Sequence, residues 1–557
     1  MIRRPRFHRL SWLAPLGLLL VSLTLGWRLG DEAALATARL GLHQRDHATA
    51  CRALLRLSSS PWVKGRALAG AALCRALAGE PAEMEGFSAA DLRAFHPIDL
   101  LEATLRRGEL PETVRLAELA QRGGEGFAPV YRASALLESG REPEAREVAA
   151  GVAGLLRWHR LGRRLERALV WRSAGAQTLL WDRAGELVGA LDAAGLFQRA
   201  TDVSEAWLPP GLTDRFSDGS DRPGGVRLGL DLDLARRSLA ALGPYRGSIV
   251  LLDPQDGSVM AAVSDPRTSR REPGAAFEQR REPASIAKLI TTTAALRAGL
   301  DPDAEIAHMT CRGSESYQGG ILWCPYRAGP LHGLDEALAV SCNIAFANLG
   351  IRVGRQALLE EYGRYGFDGE GPVPAKWAGR VRQREGNQRQ LADLAIGLEA
   401  TDITPLHAAL LAAVFAGDGA MPEPTLVTAE TGPLGLTQPP RPRSPGQRVV
   451  EPTWLPRMRR AMRAVTRFGG TAAGLSPRGV SVAMKTGTAS EWHHGYHVNY
   501  IGFLPAEAPQ VAFCVRVTHQ ATSRRVNRAA REVTARLLAD LGDWLERRPG
   551  RITPAGS

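Results

Sequence analysis

Hydrophobic residues follow different patterns along this chain of 557 residues. Leu10 to Trp27 form an almost uncharged apolar run, just long enough to cross the core of a bilayer as a helix. From about residue 29 to 208 the chain is rich in Ala, Leu, Arg and Glu, which predicts helix throughout. Residues 209–225 are rich in Pro, Gly, Asp and Ser and indicate a linker. From residue 226 onward strand-like and helical runs alternate, so the sequence predicts a second domain of mixed structure.

The N-terminal pattern predicts a membrane anchor. Four arginines precede the apolar run, and such positive charge keeps the N-terminus in the cytoplasm. We therefore expect a cytoplasmic tail at 1–9, a transmembrane anchor at 10–28, and the remainder of the chain on the extracytoplasmic, periplasmic side of the inner (cytoplasmic) membrane. A cleaved signal peptide is the alternative, because Ala34-Leu35-Ala36 resembles a cleavage site, although it lies far from the apolar run.

The helical region carries a weak internal repeat. Gly79, Gly108 and Gly140 follow similar stretches and are 29 and 32 residues apart. This spacing is close to the ~34-residue period of tetratricopeptide-type helical hairpins. The pattern predicts an all-α, TPR-like region at 29–208 that docks a protein partner or holds the next domain away from the membrane. An ordinary helical domain without a partner is the alternative.

The second predicted domain, residues 226–545, begins with strands. Gly247–Asp253 and Ser258–Val263 are apolar strand-like runs, and the Pro-Gln-Asp-Gly stretch between them is typical of a hairpin turn. A largely helical middle and later strands follow, so we expect an α+β domain whose sheet packs one face on a central helix. Residues 546–557 would form a tail.

Composition narrows the choice of partners. The net charge is +12 and the sequence pI is near 9.9, which could indicate nucleic acid. However, no basic helix with interleaved aromatic residues and no nucleic-acid motif is present. The arginines are spread along the chain, which indicates a basic solvated surface, so we expect no nucleic-acid partner.

The first candidate for chemistry is the stretch Ser285-Ile286-Ala287-Lys288, which follows Pro283 and opens a predicted helix. On a helix Ser285 and Lys288 lie on the same face, with the hydroxyl near the amine. A serine with a base one helical turn away is a plausible activated nucleophile. By itself this pattern is weak, because it recurs by chance.

Two further motifs make the signal specific. Ser341-Cys342-Asn343 follows an apolar helical run, and Lys485-Thr486-Gly487-Thr488 ends a strand-like run. In this order the three motifs form a serine–lysine acyl-transfer set. Lysine usage agrees, since only four of the 70 Lys and Arg residues are lysine and two of them lie in these motifs. Arginine cannot replace a lysine that must accept a proton at ordinary pH.

With these motifs, residues 226 to about 545 resemble the transpeptidase domain of penicillin-binding proteins. Ile396–Glu399, Thr404–Leu406 and Tyr500–Pro505 match the same family in order. A single anchor without a glycosyltransferase segment is similar to the class B members. The resemblance implies an antiparallel sheet with flanking helices, a helical subdomain and no cofactor. Two features depart from the family: Ala284 stands where glycine is usual, and the helical repeats replace the arginine-rich pedestal signature.

The resemblance implies a peptidoglycan D,D-transpeptidase or carboxypeptidase that forms a seryl acyl-enzyme with D-Ala-D-Ala stem peptides and binds β-lactams covalently. Ser285 would be the nucleophile, and Lys288, kept neutral by burial and by Lys485, would accept its proton. Ser341 would pass a proton to the leaving amine. Asn343 would orient Lys288 and the substrate amide.

The third motif would bind the substrate. Lys485 and the hydroxyls of Thr486 and Thr488 would hold the substrate carboxylate, and Gly487 would let the strand approach the substrate backbone closely. The backbone N–H groups of Ser285 and Thr488 would form the oxyanion hole.

The chain has six cysteines, which would face an oxidising space. Cys311 and Cys324 flank a Gly/Ser-rich loop and predict a disulfide. Zinc bound by these two residues and His332 is the alternative, but the spacing matches no common zinc motif and a fourth ligand is not evident, so no metal site is predicted. Cys51 and Cys74 could pair across helices or simply be buried.

The remaining cysteines and a histidine cluster predict no chemistry. Cys514 lies in an apolar strand-like run, and Cys342 is expected to pack rather than react. His493, His494 and His497 could bind a metal or shape an acceptor site, although a solvated loop is the favoured interpretation.

The sequence leaves two alternative functions open. A serine β-lactamase shares the first half-reaction, but no Glu-containing loop of the class A kind is found, and Asn343 stands where class D enzymes have an apolar residue. A penicillin-sensing or scaffolding protein that acts through the helical repeats is the non-enzymatic alternative.

Overall fold

The computed structural model describes most of the chain. The described residues are 13–44, 47–78, 86–209, 212, 224–272, 274–325, 327–382, 384–398, 401–436, 446–467, 469–491 and 495–547. The predicted cytoplasmic tail, most of the predicted linker and nearly all of the predicted C-terminal tail lie outside these residues.

The first part of the chain is helical up to Ser173. Its helices are α1 Leu13–His43, α2 His47–Leu57, α3 Lys64–Ala78, α4 Ala89–Arg93, α5 Pro97–Arg107, α6 Leu110–Arg122, α7 Ala128–Glu138, α8 Glu142–Ala150, α9 Ala153–Leu156 and α10 Arg160–Ser173. Gly108 and Gly140 end helical segments in the left-handed conformation that glycine tolerates, whereas Gly79 lies outside the described residues. A disulfide joins Cys51 to Cys74 and thereby links α2 to α3.

The predicted anchor, residues 10–28, coincides largely with the start of α1. Residues 10–12 and the side chains of residues 13–24 lie outside the described part of the structure. Within the part that is described, no helix combines the length and the apolar character needed to cross a membrane.

Residues 178–199 contain three strands, so the prediction of helix up to residue 208 is wrong there. The strands are β1 Thr178–Trp181, β2 Leu187–Leu191 and β3 Phe197–Arg199. All residues of β1 and β2 are buried. Short, continuous apolar runs give no periodicity that separates a buried strand from a buried helix.

The partners of these strands come from beyond the predicted linker. β1 pairs in parallel with β4 Gly225–Leu228, and β4 pairs antiparallel with β14 Val427–Thr431. The resulting sheet has the order β14-β4-β1-β2-β3. It joins the helical region to the second domain through backbone hydrogen bonds.

A second five-stranded sheet, antiparallel throughout, organises the second domain. Its strands are β5 Gly247–Leu252, β6 Val259–Ser264, β16 Ala483–Glu491, β17 Gly495–Leu504 and β18 Val511–Gln520, in the order β16-β17-β18-β5-β6. β5 and β6 form the predicted hairpin. β16 lies at one edge, so one side of its backbone is not used by the sheet.

Helices cover both faces of this sheet. Every residue of α20 Pro405–Ala416 is buried, and the helix packs against β5, β17 and β18 as the predicted central helix. Thr404 caps α20 by accepting the N–H of His407. α11 Leu232–Leu242 and α22 Ser523–Glu546 also pack on the sheet and against each other.

Further helices and strands complete the described part of the second domain. The helices are α12 Pro266–Arg271, α13 Ala275–Glu278, α14 Lys288–Arg297, α15 Pro302–Ala307, α16 Leu334–Ala339, α17 Asn343–Val353, α18 Arg355–Arg364, α19 Gln388–Ile396 and α21 Leu455–Ala464. The strands are β7 Thr310–Cys311, β8 Ser314–Tyr317, β9 Gly320–Trp323, β10 Gly329–Pro330, β11 Arg380–Val381, β12 Thr401–Asp402, β13 Ala420–Met421 and β15 Gln447–Arg448. Short 3₁₀ helices span Glu205–Trp207, Ala284–Ala287, Phe367–Gly369 and Pro452–Trp454.

The turn that leads into α14 is strained. Ala284 has φ 51°, a left-handed conformation that costs a residue with a side chain roughly 1–2 kcal/mol. The turn is held because the N–H of Ala284 donates to the carbonyl of Gly397 at 2.8 Å. A glycine at this position, as is usual in the family that the sequence resembles, would adopt the same conformation without strain.

We therefore expect Ala284→Gly to raise the free energy of unfolding by about 0.5–1 kcal/mol, since relief of strain outweighs the loss of one methyl group. The thermal midpoint of the full-length protein measures the effect. Ala287→Gly is the matched control, because Ala287 has a helical φ of −62° and should lose stability instead. A lower midpoint for Ala284→Gly would contradict the assignment of strain to this turn.

Candidate active site

The three sequence motifs meet beside the edge strand β16. Ser285 lies on the 3₁₀ turn and Lys288 begins α14. Ser341 and Asn343 lie where the chain passes from α16 to α17, and Lys485 lies on β16. Hydrogen bonds connect all three segments, so the structure brings together residues that are up to 200 positions apart.

The local backbone conformation directs the side chains of the second motif towards Lys288. Ser341 has φ 56°, a left-handed residue that turns the chain sharply between the two helices. Cys342 is the N-cap of α17, and its Sγ accepts the N–H of Ala345 at 3.5 Å. Asn343 is therefore the first residue of α17, with its side chain directed towards Lys288.

Lys288 is fully buried and its amine is held by the second motif. Nζ donates to the carbonyl of Ser341 at 2.6 Å and to Oδ1 of Asn343 at 2.8 Å. It lies 3.2 Å from Ser341 Oγ, and the face of the Phe346 ring is 5.5 Å away. The predicted role of Asn343 in orienting Lys288 has this geometric basis.

The amine of Lys485 reaches the same hydroxyl from the other side. Nζ donates to Ser341 Oγ at 2.7 Å and to the carbonyl of Thr486 at 2.9 Å. Ser341 Oγ thus lies between two lysine amines, both of them buried. Two positive charges around one hydroxyl repel each other, so this arrangement favours a single ammonium group.

Burial controls the protonation of both lysines. It lowers the pKa of Lys288 to about 8, against a smaller opposing effect of the Cys342 thiol. Burial, and then the charge of Lys288, lower the pKa of Lys485 well below its usual value. A neutral amine is consequently within reach near neutral pH, which a proton acceptor requires.

The nucleophile candidate lies on a tighter turn than an α-helix. Because residues i and i+3 of a 3₁₀ helix eclipse each other, Ser285 and Lys288 still face the same side. Lys288 Nζ bonds to Ser341 and Asn343, and among the described residues it makes no hydrogen bond to Ser285 Oγ. Such contacts often shorten only when substrate is bound.

Gly487 places β16 against the nucleophile turn. A Cβ on Gly487 would lie 2.6 Å from the carbonyl oxygen of Pro283 and 3.2 Å from the backbone nitrogens of Ser285 and Ile286. The sequence assigned this glycine to close approach of the substrate. In the structure the close approach is to the protein's own turn, at the backbone of Pro283, Ser285 and Ile286.

The two threonines of the third motif already have hydroxyl partners. Thr486 Oγ1 is 2.8 Å from Thr471 Oγ1, and Thr488 Oγ1 donates to Oδ1 of Asn527 on α22 at 3.0 Å. Thr486 is buried and Thr488 is partly exposed. Thr471 and Asn527 were not found from the sequence, because each is remote in the chain and belongs to no motif.

A buried polar network supports the turn from behind. Arg516 on β18 donates to Asn499 Oδ1 at 2.7 Å, and Asn499 Nδ2 donates to the carbonyl of Glu282 at 3.1 Å. His497 Nε2 lies 2.9 Å from the same carbonyl. These residues fix the backbone three positions before Ser285. A single charged residue within an apolar strand was the one sequence signal for Arg516.

The network corrects one prediction. His497 lies on β17 and is buried, so a solvated loop is wrong for this residue. The residues of β17 that follow it, up to Leu504, are buried as well, because helices pack on this sheet. His493 and His494 lie outside the described residues, as does Glu399.

The hairpin of β8 and β9 forms a side of the site. The carbonyl of Trp323 accepts Asn343 Nδ2 at 2.9 Å, which fixes the direction of the Asn343 amide. The Trp323 side chain is 68% exposed. Sequence reasoning missed this residue, since a backbone acceptor has no sequence signal.

The predicted disulfide between Cys311 and Cys324 is not formed in this structure. Both residues keep their thiols, and Cys342 joins them to make a buried cluster of three sulfur atoms within 4.8 Å of one another. His332, the alternative zinc ligand, is exposed and lies 2.8 Å from Glu336 instead. The sequence placed Cys342 in the core correctly, as it did Cys514.

Comparison with known proteins agrees with this geometry. The family described as the penicillin binding protein transpeptidase domain matches residues 247–540, more than half of the chain. Peptidoglycan D,D-transpeptidase PbpA of Mycolicibacterium smegmatis is 30% identical over 354 residues, which cover 55% of this chain and 70% of that protein.

Solved structures of penicillin-binding proteins are also similar to this chain. The crystal structure of PBPA from Mycobacterium tuberculosis is 25% identical, with a TM-score of 0.55, and the match covers 66% of this chain and 99% of that one. Its imipenem acyl-enzyme complex matches with a TM-score of 0.54, at 25% identity, over 66% of this chain and 98% of that one. With three convergent motifs and these matches, the chain belongs to the penicillin-binding protein transpeptidase family, in its class B-like group.

Proposed function

We propose that this protein is a serine peptidoglycan D,D-transpeptidase that acylates Ser285 with D-Ala-D-Ala stem peptides and with β-lactams. The observation that carries the proposal is the single hydroxyl of Ser341 held between two buried lysine amines, beside the turn of Ser285. Relatives named peptidoglycan D,D-transpeptidase, and relatives solved as penicillin G and imipenem acyl-enzymes, support the same substrate class.

In the proposed acylation step Ser285 Oγ attacks the carbonyl carbon of the penultimate D-alanine. Neutral Lys288 accepts the hydroxyl proton, which is possible because burial brings its pKa to about 8. The proton then passes through Ser341 Oγ, 3.2 Å from Lys288 Nζ, to the amine of the departing D-alanine. Backbone N–H groups of Ser285 and Thr488 stabilise the oxyanion, with roughly 3 kcal/mol per donor in comparable sites.

Substrate charge decides which lysine carries the proton. A stem-peptide carboxylate bound by Lys485, with the hydroxyls of Thr486 and Thr488, favours the ammonium form of Lys485. An ammonium group at Lys485 disfavours a second one at Lys288, because both contact Ser341 Oγ. Binding of the substrate therefore prepares the base that the reaction needs. An acceptor amine completes transfer, or water completes hydrolysis, by the reverse sequence of proton movements.

The N-terminal segment would hold the catalytic domain on the extracytoplasmic side of the membrane. We propose that residues 10–28 anchor the chain in the membrane, so that residues from about 29 onward are extracytoplasmic. The apolar run and the preceding arginines support this assignment. For the helical segment we propose TPR-like repeats that dock a protein partner, supported by the glycine spacing and by the helices α2 to α10.

Mass spectrometry of the full-length protein after penicillin treatment tests the function. We expect one covalent adduct on Ser285 that persists for many minutes, and no adduct in Ser285→Ala. Rapid turnover of nitrocefin would instead assign a β-lactamase. An unmodified wild-type protein would refute acyl transfer and favour a scaffolding role.

The second-order rate constant for acylation should be level below about pH 8 and should fall tenfold per pH unit above it. The reactive complex keeps one proton on the lysine pair, at Lys485, and the free enzyme loses that proton as the pH rises through the Lys288 pKa of about 8. Stopped-flow measurement with a fluorescent penicillin gives the profile.

Lys288→Arg keeps the positive charge but removes the base, and should slow acylation by about 10²–10⁴-fold at every pH. Lys376→Arg, at an exposed position, is the matched control and should leave the profile unchanged. Near-normal acylation by Lys288→Arg would disprove the role of Lys288.

Gly487→Ala should slow acylation by about 10²-fold, because its Cβ, 2.6 Å from the Pro283 carbonyl, forces the nucleophile turn and β16 apart. Gly126→Ala has no atom within 4 Å of its new Cβ and serves as the control. The acylation rate and the thermal midpoint are measured together. An unchanged rate would show that the packing of β16 on the turn does not position the site.

A further inference from the structure

Three cysteines that the acylation scheme does not use lie behind the second motif. Cys311 ends β7, Cys324 follows β9 and Cys342 caps α17. Their sulfur atoms lie within 4.8 Å of one another, and the Sγ atoms of Cys324 and Cys342 are 4.0 Å apart. All three are buried, and Cys324 is the most exposed at 8%. We call them the thiol cluster.

We propose that the thiol cluster is a redox modification site, in which a disulfide between Cys324 and Cys342 slows acylation. The effect on acylation rests on the proposed function, whereas formation of the disulfide does not.

The two sulfurs belong to the two segments that orient Asn343. Cys342 immediately precedes Asn343, and Cys324 immediately follows Trp323, whose carbonyl accepts the Asn343 amide. Cys324 Sγ also accepts the backbone N–H of Asn343 at 3.3 Å. A covalent bond between these segments acts directly on the residue that holds Lys288.

Formation of the bond requires movement. The sulfur atoms must approach from 4.0 Å to about 2.05 Å, so about 2 Å of displacement is shared between the two segments. Cys342 Sγ then leaves the N–H of Ala345, which it now caps. Because Ser341 and Asn343 flank Cys342, the hydrogen bonds of 2.6 and 2.8 Å that they accept from Lys288 are disturbed.

The reaction needs an oxidant, and a low-molecular-weight disulfide such as oxidised glutathione supplies it. The thiolate of Cys324, the most exposed member, attacks this disulfide and forms a mixed disulfide while one small thiol leaves. Cys342 then attacks the Cys324 sulfur, and the second small thiol leaves. The protein loses two protons and two electrons, and both are recovered in the two released thiols.

The donor set favours a disulfide over a metal ion. Among the described residues no His, Asp or Glu completes the three sulfurs to the four ligands of a structural zinc site. Three thiolates around a divalent ion also leave one negative charge beside Lys288, which would raise the pKa of the base. A disulfide carries no charge.

The test uses full-length protein in detergent, treated with oxidised glutathione or with dithiothreitol. Peptide mapping after alkylation should find residues 324 and 342 cross-linked only in the oxidised sample. Acylation by fluorescent penicillin should be at least tenfold slower after oxidation and should recover with dithiothreitol. Cys324→Ala should lose the response to oxidation. Cys514→Ala, which removes a buried thiol of β18 outside the cluster, should retain it.

Several results would overturn the proposal. A Cys311–Cys324 bond alone, no cross-link at all, or one tightly bound zinc ion per chain would each exclude the Cys324–Cys342 site. A cross-link that leaves the acylation rate unchanged would exclude the switch. Wild-type mapping decides the site even where a variant fails to fold. A protein that never reacts with penicillin in either state refutes the proposed function separately, because mapping does not depend on acylation.

Discussion

The candidate active site is built around one hydroxyl, that of Ser341, which lies between two buried lysine amines. Burial makes the charged form of each amine costly, and their proximity makes two charges costlier still. One proton can therefore move among Lys288, Ser341 and Lys485 at little energetic expense. In the proposed function, a substrate carboxylate would bias that proton towards Lys485, and the same contact would leave Lys288 neutral.

The surrounding fold keeps these groups at fixed distances. Gly487 lets the edge strand contact the nucleophile turn, and Arg516 with Asn499 holds the Glu282 carbonyl just before it. Ala284 and Ser341 both occupy left-handed conformations. Strained backbone at such positions persists only where surrounding contacts impose it. Ala284 donates to the carbonyl of Gly397 at the end of α19, and Ser341 Oγ accepts from Lys485 on β16.

Some elements of the fold could be predicted from the sequence and others could not. The hairpin of β5 and β6, the helix after Ser285 and the strand of Lys485 followed from local pattern and motif order. The strands within residues 178–199 could not be predicted in this way, because a short apolar run gives no periodicity. Their conformation depends on strands 225–228 and 427–431, which lie beyond the linker and complete the same sheet. The burial of His497 could not be predicted either, because a histidine-rich stretch has the same sequence whether or not other elements pack against it.

The sequence alone determined the reaction class, since serine, lysine and the two later motifs are specific as an ordered set and lysine cannot be exchanged for arginine at a proton-accepting position. Tertiary structure alone decided which atoms meet: that Ser341 lies between both amines, that Trp323 fixes Asn343, and that Cys342 joins Cys311 and Cys324 in one cluster. The physical reason is that hydrogen bonds and sulfur contacts of 3–5 Å depend on how distant segments pack. Residue spacing along the chain carries no information about that packing.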